Sequence, residues 1–222
     1  MNSASGHRAR LRKRLFDGGG KALLDHELVE YLLALAIPRR DTKDQAKALI
    51  RQFGGVGPLL AASADTLRRE GLSDTVIAAL KIAEATALRL LETRTEGAPV
   101  LSSWDALSQY LHAAMAHSRT EQVRVLFLNA KNMLIANEAM WNGSVDEASV
   151  HVREVIARAI ALDATALIIV HNHPSGDPTP SHQDVRITQD LVEAARHMKI
   201  TIHDHVIVGA SGQSSMRALG LL

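Results

Sequence analysis

The chain has 222 residues, 46% of them hydrophobic and 22% charged, with a formal net charge of +1. That is the balance of a globular chain of one or two domains, and it argues against a disordered or collagen-like polymer. Aromatic residues are only 3% and cysteine is absent, which argues against single-strand binding by rows of stacking rings and excludes disulfides, thiolate zinc fingers, iron–sulfur clusters and thiol nucleophiles.

No stretch reaches the roughly 18 apolar residues of a membrane span. The basic opening lacks the apolar core of a secretory signal, so a cytoplasmic protein with no membrane partner is expected. Charge is uneven: residues 1–98 carry 16 Lys and Arg against 12 Asp and Glu, while residues 99–222 carry 9 against 12. His7, Arg8, Arg10, Arg12, Lys13 and Arg14 precede the first acid, Asp17. Such a run serves either a nucleic-acid contact or a solvated helix face.

In chain order, Arg8 to Phe16 has helical spacing and Gly18-Gly19-Gly20 ends it. Asp25 is the expected N-cap of a helix to about Ala36, which Pro38 stops; Asp41 opens another to about Phe53, with Ala46, Leu49 and Ile50 inward. Two glycine turns follow, Phe53-Gly54-Gly55-Val56-Gly57 and Gly71-Leu72-Ser73, the second between helices near 64–70 and 74–92. This layout is that of a helix-hairpin-helix module, whose turn amides approach a DNA phosphate. The candidate contacts are Gly55, Gly57, Gly71, Ser73, Arg8, Arg10 and Arg12; helix C-capping is the alternative role for the glycines. Residues 1–93 are thus read as a helical domain and 94–100 as a linker, since Thr93 to Pro99 is polar and contains Gly and Pro.

Residues 101–222 read as α/β. A helix is expected over Ala106–Ala116, strands over Glu121–Asn129 and Met133–Trp141 with a turn at Lys131-Asn132, and a further turn at Asn142-Gly143. A helix over Arg153–Leu162 precedes Ala166-Leu-Ile-Ile-Val170, an apolar run suited to a buried central strand. A helix over Val185–Met198 and a strand over Ile200–Val208 complete a two- or three-layer α/β domain.

Directly after the buried strand stands His171-Asn-His173-Pro-Ser-Gly-Asp-Pro-Thr-Pro-Ser181-His-Gln-Asp184. Residues i and i+2 of a strand share a side, so His171 and His173 offer two imidazoles at its C-terminal end. Ser181 is a good N-cap, and Asp184 at the third position of the helix faces back toward them. Two His and one Asp leave a fourth tetrahedral position for a metal-activated water. Zinc suits this thiolate-free set, one ion per chain, and other divalent metals accept the same ligands. The bland alternative is a polar turn with a capping Asp. A general base is also required; Glu121 and Glu154 are the candidates, Glu154 having an alternative role as a favourable charge at a helix N-terminus. His205 beside Asp204 suits a paired core histidine or one supporting a metal ligand; His203 alternates with His205 on one strand face, and His182 suits a surface position.

The spacing His171-x-His173, seven residues, Ser181, two residues, Asp184 resembles the JAMM motif of the JAB/MPN metalloproteases, and His-Asn-His-Pro-Ser-Gly-Asp resembles the bacterial RadC family. Leu126-Phe-Leu-Asn129, Arg153-Glu-Val155 and Asp204-His-Val-Ile-Val-Gly209 are similar to further blocks of that family, and Gly6 through Leu88 to its companion domain. The resemblance implies a mixed sheet flanked by helices, the cytidine-deaminase-like JAB/MPN fold, after a helix-hairpin-helix-like domain. It implies zinc on His171, His173 and Asp184, Glu121 as water-activating base, and Ser181 holding water or oxyanion by a hydrogen bond. The implied activity is hydrolysis of amide or isopeptide bonds in a peptide or protein. The rival is a DNA-repair accessory protein whose helical half binds DNA and whose metal site is structural or vestigial. A nucleotide deaminase is disfavoured, because its zinc usually takes cysteine ligands. The sequence departs from the family at Ser144, at His151-Val152 and at Gln213-Ser214, none of them a ligand.

Overall fold

In a computed structural model, residues 3–93, 99–100, 104–143 and 152–222 are described. They fall into two compact units, residues 1–87 and 88–222. The first unit is helical: α1 (Ser3–Gly18), a short 3-10 turn (Gly20–Ala22), α2 (Asp25–Ala36), α3 (Lys43–Phe53), α4 (Val56–Ala61), α5 (Ala64–Arg69) and most of α6 (Asp74–Thr93). Leu33, Leu49, Leu59, Leu67, Val76 and Leu80 form its aliphatic core.

Two caps differ from expectation. Asp25 is the first helical residue of α2; the N-cap is Leu24, whose N–H is taken by the Glu27 carboxylate at 2.9 Å. Thr42 rather than Asp41 is the N-cap of α3, and Asp41 Oδ1 instead accepts the Lys43 N–H at 2.9 Å. The glycine turns are built as helix ends. Gly54 (φ 82°) and Gly71 (φ 79°) are left-handed, and the Leu72 N–H reaches back to the Leu67 carbonyl at 3.2 Å, closing α5. Gly57 lies inside α4, and Gly55 is its N-cap. Arg8 donates to the carbonyls of Ile37 and Arg40, and Arg14 forks onto Glu27 at 2.7 and 2.9 Å, while Arg10 and Arg12 are exposed.

The second unit contains α7 (Trp104–Met115), β1 (Glu121–Leu128), β2 (Leu134–Gly143), α8 (Val152–Ala161), β3 (Ala166–Asn172), α9 (His182–His197), β4 (Thr201–Gly209) and β5 (Gly212–Ser215). The sheet order is β2-β1-β3-β4-β5, with β3 and β4 parallel and the other neighbours antiparallel. Every residue of β3 is buried, as befits a central strand covered on both faces. Alternation sends Leu126, Leu128, Ile168, Val170, Val206 and Val208 to α7, and Val125, Phe127, Leu167 and Ile169 to α8 and α9. This is the three-layer form of the expected α/β domain.

Two local expectations are corrected. Asn142 and Gly143 do not turn; they extend β2, where Gly143 pairs with Glu121. The short edge strand β5 lacks the apolar alternation by which strands are recognised and was not expected. The linker expected over 94–100 lies mostly outside the described residues; Thr93 ends α6, and Pro99 bridges Met133. Ser144 and His151 also lie outside them. Among the described residues no helix is long and apolar enough to cross a membrane.

Candidate metal centre

The sheet register assembles the site. Val123 pairs with His171 across β1 and β3, so both side chains share the face that carries α9. Glu121, two residues before Val123, and His173, two after His171, continue on that side. Helix α9 lies over this face with Asp184, Thr188, Leu191 and Ala195 buried at helical spacing, which brings Asp184 to the strand end.

The three groups converge: His171 Nε2 stands 3.3 Å from Asp184 Oδ1, His173 Nε2 3.4 Å from Asp184 Oδ2, and the two Nε2 atoms are 2.9 Å apart. A tetrahedral cation with bonds of about 2.0–2.1 Å spaces its ligands by about 3.3–3.4 Å, so the cluster is already near the edge lengths of such a site. Among the described residues, this is the group of His, Asp and Glu able to hold a metal ion.

Hydrogen bonds set the tautomers. The His173 Nδ1–H donates to the Asp177 carbonyl at 2.8 Å, leaving Nε2 with its lone pair. Behind His171 runs a buried relay. Thr188 Oγ1 donates to the Asp184 main-chain carbonyl at 2.6 Å, so it accepts from His205 Nδ1–H, also at 2.6 Å. His205 Nε2 therefore accepts from His171 Nδ1–H at 2.7 Å, and His171 Nε2 is left as an acceptor. Two imidazole lone pairs at this separation repel unless a proton or a cation lies between them. The residues thus fit a metal.

The relay depends on a bulge. β4 spends one extra residue, at His203, between Ile202 opposite Leu167 and Asp204 opposite Ile168. That single insertion flips the parity of β4 and turns His205 onto the His171 face.

Burial lowers His171 to about 4 and His205 to about 3. Burial also opposes ionisation of Asp184, but hydrogen bonding from His173 in its protonated form and from Ser181 outweighs it and holds its carboxyl well below the ordinary range. The Asp184 carboxylate raises His173. Burial, with the nearby Asp184 charge, raises Glu121, against the pull of His173.

Glu121, His173, Ser181 and Asp184 line one cavity of about 270 Å³, with Pro174 and Ile187 as apolar wall. Glu121 and two of the three candidate ligands, His173 and Asp184, therefore face the same space, with His171 buried behind them. Ser181 and Asp184 form a capping box: Ser181 Oγ accepts the Asp184 N–H at 3.2 Å, and Asp184 Oδ2 accepts the Ser181 N–H at 2.6 Å. The hydroxyl proton of Ser181 stays available to the cavity. The loop between His173 and Ser181 rests on Gly209, where a Cβ would run into the carbonyl group of Gly176 and the nitrogen of Pro178. Ser211 N–H and Oγ both donate to that carbonyl, at 3.1 and 2.8 Å.

Not every candidate is brought here. Glu154 is exposed in the first turn of α8, outside the cavity lining. His182 is exposed, and His203 donates to Asn132 Oδ1 at 2.7 Å. Sequence reasoning missed Thr188, whose signal is its spacing of four from Asp184 on the inner face of α9, and the close approach at Gly209.

The RadC-like JAB domain family matches residues 101–221. A UPF0758 protein of Rhodobacter capsulatus is 49% identical over 213 residues, covering 96% of this chain and 100% of its own. Another UPF0758 protein, of Ruegeria pomeroyi, is 48% identical over 217 residues, covering 97% of each chain.

Proposed function

The chain belongs to the family of RadC-like JAB domain proteins, and from that premise we propose that it is a divalent-metal-dependent hydrolase of peptide- or isopeptide-type amide bonds, with zinc as its metal. The observation that carries this reading is the convergence of His171 Nε2 and His173 Nε2 on the Asp184 carboxylate, with His173 and Asp184 lining a cavity that Glu121 also lines.

His171, His173 and Asp184 would hold the ion beside the cavity that His173 and Asp184 line. Bound there, the cation supplies Lewis acidity, which acidifies a water and polarises a carbonyl. Glu121 takes the proton released from the water and returns it to the leaving nitrogen; its partial burial raises its proton affinity toward that task. Ser181 holds Asp184 through the capping box and directs its own hydroxyl proton at oxygen in the cavity. Pro174 and Ile187 give a peptide segment an apolar surface to lie against.

The test is Glu121→Gln, assayed on a panel of fluorogenic peptide and isopeptide amides with metal content measured in parallel. The variant is expected to keep one equivalent of zinc and to lose turnover by about 10²–10⁴-fold, the ordinary contribution of a positioned base. Equal turnover by the variant, or no zinc in either protein, overturns the reading.

A second reading, that the N-terminal helical unit binds DNA, is favoured by one feature. Lys43, Lys47 and Arg51 repeat at i, i+4 and i+8 along α3, ahead of the Gly54-Gly55 turn, and Arg10 and Arg12 have no ion-pair partner among the described residues. Binding of a duplex by the full chain that weakens steeply with salt, and weakens again in Lys47→Glu with Arg51→Glu, supports it; salt-insensitive or absent binding refutes it.

A further inference from the structure

Asn172, the residue between the two histidine ligands, is fully buried, with 0% exposure. The backbone register of β1 and β3 runs as far as Val123 opposite His171. One step further, the Asn172 side chain takes over the pairing. Its Oδ1 accepts the Gln122 N–H at 2.9 Å, and its Nδ2 donates to the Thr120 carbonyl at 3.1 Å. Those two groups belong to the peptide units on either side of Glu121. The donor on one side and the acceptor on the other also dictate which way the amide points.

We infer that Asn172 is the positioning residue of Glu121, clamping both peptide units of the base to the three-residue stretch that carries two metal ligands. The inference rests on the reading of Glu121 as the base of a metal site. Glu121 is the first residue of β1, where strand ends fray. A base held only by a fraying end wanders relative to the metal, and displacement by about 1 Å is enough to cost catalysis heavily. Asn is suited to both bonds at once. Asp accepts but does not donate, and Ala or Ser does not span the two groups. Because His171, Asn172 and His173 are consecutive, base and ligands share one register although fifty residues separate them in sequence.

The test uses the full chain and zinc chloride, with Asn172→Ala as the first variant and Asn172→Ser as the second should the first not fold. Three quantities are read: zinc affinity by competition with a chromophoric chelator, residue-resolved amide exchange by NMR, and the Glu121 side-chain carboxyl carbon resonance with and without zinc, assigned by Glu121→Gln. Zinc affinity is expected to stay within about threefold of the unsubstituted protein. The Gln122 amide should exchange at least tenfold faster while Val125 and Phe127 keep their protection, and the Glu121 carboxyl should lose most of its response to zinc. A variant that retains both Gln122 protection and the Glu121 response overturns the inference. So does one in which all of β1 loses protection equally, since that is a loss of stability rather than of position. If the unsubstituted protein binds no zinc, the metal reading fails instead, and the Gln122 exchange still decides whether the clamp exists.

Discussion

Acid should unfold the metal-free second unit through two histidines. His171 and His205 are buried and neutral, with proton affinities lowered to about 4 and about 3, whereas in the unfolded chain each titrates near 6.5. Between those values the unfolded state binds protons that the folded state refuses, so stability falls as pH falls below 6.5 and stops falling once the folded side chains also protonate. From pH 8 to pH 5 each histidine contributes a loss of about 2 kcal/mol, about 4 kcal/mol together. His173 acts in the opposite sense: its raised proton affinity adds stability that is present below 6.5 and lost as pH rises through its folded value, which offsets part of the loss. Asp184, held low, matters only below about 4 and drops out of this window. The assay is urea denaturation of chelator-treated protein followed by tryptophan fluorescence. The two tryptophans, Trp104 and Trp141, both belong to residues 88–222, so the signal reports that unit alone. Midpoints should hold nearly level from pH 8 to about 7 and then drop steadily to pH 5, and His205→Leu should remove about half of that drop. A flat or rising midpoint across that range refutes the assignment of both histidines as buried and neutral.

Removing a ligand, in His171→Ala or Asp184→Ala, should abolish the equivalent of zinc found by metal analysis of protein purified without added metal. Ser181→Ala should cost about 1 kcal/mol, the usual worth of an N-cap, and weaken zinc about tenfold as Asp184 loses its hold, read by denaturation and chelator competition. Gly209→Ala should push the Gly176–Pro178 loop away from β4 and cost about 1–3 kcal/mol, with zinc affinity falling at least tenfold in the same competition assay.

The candidate metal ligands were legible because their chemistry is local. His171 and His173 sit at a strand's period, and Asp184 sits three residues after an N-cap serine, so short-range geometry alone aims all three at one point. The residues alone left Glu121 and Glu154 as candidates and the family resemblance pointed to Glu121; strand register agrees, since it lays β1 beside β3 and leaves α8 facing solvent at Glu154. The turn expected at Asn142-Gly143 failed for a related reason. Local propensity favours a turn there, but pairing with Glu121 across the sheet holds Gly143 extended. The caps at Asp25 and Asp41 were misplaced by one residue each, because several side chains near a helix start can satisfy the same free amides.

The sequence by itself determined the helix–strand order apart from β5, the aliphatic core, the absence of thiolate chemistry and the three candidate ligands, all of which follow from residue type and spacing along a few turns of chain. Tertiary structure decided that Glu121 and not Glu154 lines the cavity with His173 and Asp184, that the bulge at His203 turns His205 toward His171, and that Thr188 and Asn172 close the network around the site. Those contacts join residues 17 to 52 positions apart, and chain segments that distant meet only once burial of the sheet's two faces has set the register.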